Sequence, residues 1–460
     1  MLFKNAKFSS VYFVISVSNK NQRVLINNIS ASMKRVLIIT YYWPPSGGSG
    51  VQRWLKFTKY LPEFGVKPIV FTADNGEYPA EDTTLKKDIH PETEIIKTPI
   101  WEPYSFYKKF TGQKSEKKVS VGFISDKVKP SLTQQMAVFL RGNFFIPDAR
   151  MFWIKPSVKY LRNYLAKNPV DAIITSGPPH TCHMIGLELK KIFGIKWIAD
   201  FRDPWTGIYY FDELMLSPFA KHLHHRMEKS VLQNADRILT VGETMKKDFA
   251  KMTSVPIDVI TNGYDEEDYS GKNIPLTEKF TLSNIGLLPK GQNHPALWNA
   301  IGELTRENDN FKENLEIRFV GHVDAHVKKS LEEAGITNYC KMIDYVDHEK
   351  VVAYQKSSRI LLLNINRVVN AEYLLTGKLF EYLAAERPIL CVGPKKGDAA
   401  KIIDECKSGE VFDFDDKEGI KKFILARFGT FQSGETENKN SLREKYSRKE
   451  LTRGLAEKII

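Results

Sequence analysis

Short apolar runs, each followed by a turn and then a helical stretch, recur along this chain, and that alternation constrains the fold more than any other feature. Lys34 to Thr40 is a β-branched apolar run that leads into YYWPPSGGSG, a turn rich in Pro and Gly. An amphipathic helix over Val51 to Phe64 follows, Gly65 stops it, and Lys67 to Thr72 reads as the next strand. Strands that are apolar throughout are buried on both faces, as in a parallel sheet, and strand–helix–strand units are the crossovers that build one. The pattern continues with strands at Asp171 to Thr175, Lys196 to Asp200 and Arg237 to Val241, separated by a helix ending at Phe193 and a long helix around Lys221 to Asn234.

The alternation then restarts. Strands are expected at Phe280 to Ile285, Leu315 to Val320, Lys341 to Tyr345, Arg359 to Ile365 and Pro388 to Val392. Between the two series lies ITNGYDEEDYSGKNIPLTEK, polar and carrying the turn residues Asn262, Gly263, Gly271 and Pro275. The reading is α/β: two doubly wound, Rossmann-like halves, residues 33–270 and 271–460, the second ending in a C-terminal helix. Residues 1–32 read as a disordered or non-native extension. Lys4 and Lys7 precede a weak apolar stretch, Val11 to Val17, too short and too serine-rich for a secretion signal.

With 460 residues the chain has room for about two to three domains. The mean hydropathy of -0.33 is that of a soluble protein, and no window is apolar enough for a membrane helix. A net charge of +12 favours anionic partners. Much of it lies between Lys108 and Lys129, a polar segment without interleaved aromatics for base stacking, so no nucleic-acid partner is expected. Aromatic clusters at Trp101, Tyr104, Phe106 and Tyr107, at Phe144 and Phe145, and at Phe152 and Trp153 are either core or an apolar lip for a lipid-linked acceptor. Cys182, Cys340, Cys391 and Cys406 are far apart, which argues against disulfides or zinc and fits a reducing cytoplasm.

The segment TGKLFEYLAAERPILCVG, from Thr376 to Gly393, carries the sharpest chemistry. A helix over Lys378 to Glu386 puts Lys378 and Glu381 on one face, beside free backbone N–H groups at the helix start. That combination suits a ligand with phosphates at one end and hydroxyls at the other; a solvated ion pair on an amphipathic helix is the plain alternative. Four further segments follow strands, where open parallel sheets bind ligands. Gly47, Gly48 and Gly50 form an acceptor or phosphate loop, or simply a tight turn. In SGPPH a stiff loop aims His180 at the crevice, or His180 simply packs at a helix start, and His183 is a weak metal-ligand companion without a third ligand. In DFRDPW, Asp200, Arg202 and Asp203 either meet the substrate or form an internal ion-pair network. Gly286 with Lys290 and Gly291 suits a diphosphate, or Lys290 is simply a solvated lysine in a loop. His222, His224 and His225 read as surface residues of a helix.

Taken together and in order, YYWPPSGGSGVQRWLKFTKYLPEFG, TSGPPH, IADFRDPW, ADRILTVGE, VITNGYDEEDY, YVDHEKVVAYQKSSRILLL and TGKLFEYLAAERPIL resemble the GT-B-fold glycosyltransferases of the retaining family 4, or group 1. The resemblance spans most of residues 33–460. It implies two Rossmann-like domains facing each other across a cleft, an acceptor held mainly by the first and a nucleotide sugar mainly by the second. It also implies transfer with retention, no cofactor and no metal. The donor side is expected to use Gly286, Lys290, Gly377, Lys378, Leu379 and Glu381, with Glu381 on the ribose hydroxyls; His180, Asp200 and Arg202 are the catalytic candidates. The family's Glu-x7-Glu pair is incomplete, since its first position holds Tyr373, with Glu372 one residue away. Family analogy points to surface polysaccharide assembly, a glycan or lipid-linked acceptor, and peripheral contact with an anionic membrane. Two other readings stay open: a nucleotide-sugar 2-epimerase of the same fold, which needs no acceptor, and a non-enzymatic anion- or membrane-binding protein.

Overall fold

The computed structural model describes residues 33–78, 80–102, 132–271, 273–434 and 441–460. The extension 1–32, the lysine-rich segment, and Tyr104, Phe106 and Tyr107 lie outside the described residues. Met33–Ile460 is one compact unit containing two parallel sheets.

The first sheet holds β1 (Lys34–Ile39), β2 (Val66–Ala73), β3 (Glu94–Thr98), β4 (Ala172–Gly177), β5 (Lys196–Phe201), β6 (Arg237–Thr240) and β7 (Ile257–Val259), in the order β3-β2-β1-β4-β5-β6-β7. Its helices are α1 (Ser49–Tyr60), α2 (Leu132–Phe144), α3 (Ile154–Lys167), α4 (Thr181–Phe193), α5 (Pro218–Asn234) and α6 (Glu243–Phe249), and α7 (Glu266–Tyr269) lies in the join. The second sheet holds β8 (Phe280–Ile285), β9 (Leu315–Val320), β10 (Cys340–Ile343), β11 (Ile360–Asn364), β12 (Ile389–Val392) and β13 (Gly409–Phe412), in the order β10-β9-β8-β11-β12-β13. With it go α8 (Pro295–Glu307), α9 (Asp309–Asn314), α10 (Ala325–Glu333), α11 (His348–Ser357), α12 (Gly377–Ala385), α13 (Asp398–Glu405), α14 (Lys417–Ser433) and α15 (Arg448–Ile459). The doubly wound expectation therefore holds in both halves. Strand order reverses between β1 and β4 and between β8 and β11, and the crevices for ligands in such sheets open at these points.

The two-faced burial of the strands has a direct physical cause. Along β1, Leu37 and Ile39 pack on one side with Trp153 and Ile173, while Val36 and Ile38 pack on the other with Trp54 and Leu55. In the second sheet Leu362 and Leu390 meet Trp298 and Ile301, whereas Leu361, Leu363 and Cys391 meet Leu379 and Phe380. At about 25 cal/mol per Å² of apolar surface removed from water, this two-sided burial stabilises both sheets. The last helix leaves the second sheet: Leu455, Ala456 and Ile459 of α15 join the cluster around Val36 and Trp54, and Lys196 Nζ donates to the Ile459 carbonyl at 2.9 Å.

Polar contacts tie the join and the second half to the first. Asp265, just before α7, accepts from Lys56 Nζ at 2.6 Å, Lys59 Nζ at 3.0 Å and Tyr60 Oη at 2.6 Å, all on or beside α1. Asp398 of α13 accepts from the Thr244 N–H at 2.9 Å and the Thr244 hydroxyl at 2.8 Å, both in the first turn of α6. A Cβ on Gly242 would overlap the Asp398 carboxylate, so the close approach depends on glycine there.

The aromatic clusters divide. Trp153 is wholly buried, as core, while Trp101, Phe144 and Phe152 are exposed at 58%, 66% and 43%. No helix of the described residues is long and apolar enough to cross a membrane.

Candidate functional site

In the first half the site forms where β1, β4 and β5 end. The β1 turn carries Gly47, whose N–H donates to the Ala80 carbonyl at 2.9 Å, and Gly48, whose φ of +88° favours glycine. Gly50 lies against Tyr42 and Arg202, and its carbonyl accepts from Arg202 Nη1 at 2.7 Å. Arg202 also donates to the carbonyls of Gly177 and Pro178. The loops after β1, β4 and β5 are thus laced together by one guanidinium. His180 stands at the start of α4 and stacks on Trp205, with ring centroids 4.3 Å apart and planes 1° from parallel. Burial, then neighbouring His183, His224 and Arg202, hold its pKa well below the usual histidine value, so the ring is neutral at physiological pH. Its Nδ1 is buried without a hydrogen-bond partner.

Asp200 belongs to a different category from His180 and Arg202. It is fully buried and receives Arg53 Nη2 at 2.7 Å, Trp54 Nε1 at 2.8 Å and Ser176 Oγ at 2.9 Å. Burial alone would raise its pKa, but Arg53 and these hydrogen bonds hold it below the ordinary carboxylate value. A carboxylate with both oxygens spent inside the core cannot reach a substrate, so the catalytic expectation for Asp200 gives way to the ion-pair alternative. The partner is Arg53 of α1 rather than Arg202, and no local spacing in the sequence links residues so far apart. His224 also departs from expectation: it is buried and accepts from Trp205 Nε1 at 3.0 Å.

In the second half the site forms where β8 and β11 end and α12 begins. Gly286 closes β8 with φ of +96°, and Lys378 Cε lies 3.0 Å from where a Cβ would stand. A side chain at Gly286 would displace the lysine. Lys378 Nζ donates to the Leu287 carbonyl at 2.7 Å, and burial, partly offset by Glu381, pulls its pKa down to about 8. Glu381, one turn on, accepts from Gln355 Nε2 at 2.8 Å. Burial raises its pKa, against the opposing pull of Gln355, His348 and Lys378. Gly377 faces open space at the helix start, and no side chain caps α12 at Thr376. Leu379 differs from its neighbours: its side chain is wholly buried and its N–H donates to the Thr376 carbonyl, so it serves the core. Lys290 is exposed at the start of a short 3-10 turn, and the following Gly291 packs against Asn366 beyond β11.

A cavity of about 100 Å³ lies between the halves, lined by Arg202, Asp203 and Tyr209 on one side and Asn370, Tyr373 and Thr376 on the other. Lys378 and Glu381 lie outside its lining, two and five residues beyond Thr376. Glu372 is exposed and borders a separate depression with Gly393 and Gly397. Gln355 is the site residue that sequence reasoning overlooked; its only signal was a polar residue in the apolar stripe of α11. Among the described residues no group of three His, Cys, Asp or Glu side chains is placed to hold a metal ion.

Residues 113–268 match the family described as Glycosyltransferase Family 4. Solved structures share the two-sheet fold at low identity. Sucrose-phosphate synthase from Thermosynechococcus elongatus has a TM-score of 0.56 and 12% identity over 93% of this chain and 94% of that one. HepE from Anabaena, solved with UDP-glucose, has 0.52 and 11% over 92% and 95%. A UDP-forming alpha,alpha-trehalose-phosphate synthase from Burkholderia vietnamiensis has 0.53 and 10% over 93% and 99%. No curated protein sequence matches the chain significantly.

Proposed function

Taking the chain as a glycosyltransferase of the GT-B fold, we propose that it moves a sugar from a nucleoside-diphosphate sugar to the hydroxyl of a glycan or lipid-linked acceptor, with retention and without a metal. The observation that carries this reading is the pairing of Lys378 and Glu381 on α12, where that helix opens toward the cleft at Thr376. The leaving diphosphate gains negative charge as the glycosidic bond breaks. Lys378, Lys290 and the uncapped N-terminus of α12 would stabilise that charge, the exposed Gly377 letting a phosphate approach the backbone. Glu381 would accept the ribose hydroxyls. The acceptor would lie against His180 and Arg202, its hydroxyl attacking on the face the diphosphate leaves.

The donor would enter between the halves while they stand apart. Closure then excludes water and limits donor hydrolysis. By the same family analogy the setting is surface polysaccharide assembly in a bacterial cytoplasm, with peripheral contact at an anionic membrane face. A panel of nucleotide sugars screened by thermal shift tests the reading, because a ligand that binds the native state raises its melting temperature. One donor should stabilise the chain and release its nucleoside diphosphate faster when acceptor is added. Stabilisation by none contradicts the proposal, and conversion of UDP-N-acetylglucosamine without acceptor supports the epimerase instead.

A further inference from the structure

The side chain that holds Glu381 comes from another helix and is itself held. Gln355 of α11 is wholly buried. Its Nε2 donates to Glu381 Oε2 at 2.8 Å, and its Oε1 accepts from Tyr269 Oη at 2.6 Å. Tyr269 ends α7, the short helix in the join between the halves, and is buried too. An ionised carboxylate can only accept, so Glu381 takes the NH2 end of the amide, and the tyrosine hydroxyl donates to the oxygen end and holds it there. A buried amide with both ends spent restricts the rotamers of Glu381 and leaves its other oxygen, Oε1, for a ligand.

We propose that Gln355, fixed by Tyr269, is a positioning residue that presents the Glu381 carboxylate to the hydroxyls of the bound nucleotide. This rests on the reading of Glu381 as the acceptor of those hydroxyls. The arrangement also governs the charge of Glu381. Its carboxyl is faced by Lys378 on its own helix, by His348 and Gln355 on α11, by Asp268 and Tyr269 on α7, and by Arg448 on α15. Burial favours the neutral acid, and the Gln355 hydrogen bond is the first of the opposing influences. Without Gln355 the carboxylate protonates at higher pH, and an acid is a poorer acceptor.

The test uses the full chain and the nucleoside diphosphate that binds tightest among UDP, GDP, ADP and dTDP, titrated by calorimetry. Gln355→Met keeps volume and removes both hydrogen bonds; it should weaken binding about tenfold, the equivalent of one charge-assisted hydrogen bond. The acid limb of its binding–pH profile should move to higher pH. Tyr269→Phe should act in the same direction and less strongly. In the Glu381→Ala background Gln355→Met should add nothing, because a positioning residue has nothing left to position. Equal losses in both backgrounds would overturn the proposal by showing a merely structural role. Should Gln355→Met not fold, Tyr269→Phe decides, and unchanged binding in a folded Tyr269→Phe chain overturns it. Unchanged binding in Glu381→Ala alone would instead remove the donor-site reading and this inference with it.

Discussion

Replacing Asp200 by alanine should cost the protein its stability more than its chemistry. The Asp200 and Arg53 side chains are 0% and 1% exposed, and the contact at 2.7 Å is supported by Trp54 and Ser176. Asp200→Ala strands the guanidinium in the core; Arg53 keeps the Thr261 carbonyl at 3.0 Å but loses its counter-charge. Removing one member of a buried pair costs about 3–5 kcal/mol, or roughly a hundred- to a few-thousand-fold in the folding equilibrium. Arg53→Met with Asp200→Leu removes both charges and should recover most of the loss, which a double-mutant cycle resolves. Urea unfolding followed by tryptophan fluorescence suits the purpose, since Trp298 is the one tryptophan beyond residue 270 and the signal reports chiefly the first half. The pH dependence has a definite sign. The Asp200 pKa is depressed in the folded state, so its contribution is present above the unfolded value of about 3.9 and is lost as pH falls through the folded value. Asp200→Ala should therefore show a flatter acid limb. Full stability with abolished turnover would refute the reasoning and return Asp200 to the chemistry.

Other expectations follow from the same geometry. Lys378→Ala and Glu381→Ala should each weaken donor binding or turnover at least about tenfold, a loss of roughly 1.4 kcal/mol, with the melting temperature little changed; unchanged kinetics in both would remove them from the site. Because the free chain loses the Lys378 proton at about pH 8, affinity for a nucleoside diphosphate should fall above that pH, by up to about tenfold per unit, and Lys378→Ala should abolish the dependence. Gly242→Ala should push Asp398 off the start of α6 and loosen the halves, read as a larger radius of gyration by small-angle scattering; an unchanged radius would show that the contact does not hold them.

Most of the strands that sequence made legible are those buried on both faces. Phe280 to Ile285 and Leu315 to Val320 fall where the apolar runs lie, because such runs have no other stable use. β3, β7 and β13 escaped because they are short edge or near-edge strands, half-exposed and carrying charges, as in EIIKT and GEVF. The helix α12 was legible from its amphipathic pattern, within one residue at each end. Within the site, local geometry was readable and long-range pairing was not. The α12 sequence put Lys378 and Glu381 one turn apart, but nothing in it specified Gln355, which reaches Glu381 only after α11 packs beside it. Asp200 shows the same limit, since a charge after an apolar strand announces a partner without naming it, and Arg53 is brought to it by the packing of α1 on the sheet.

The most direct measurement is a crystal structure of the chain with the nucleoside diphosphate that raises its melting temperature most. The account predicts ribose hydroxyls within hydrogen-bond distance of Glu381 Oε1, phosphates between Lys378 Nζ and the start of α12, and Gln355 still on Oε2. A nucleotide seated elsewhere, with Lys378 still on the Leu287 carbonyl and Glu381 untouched, would contradict it.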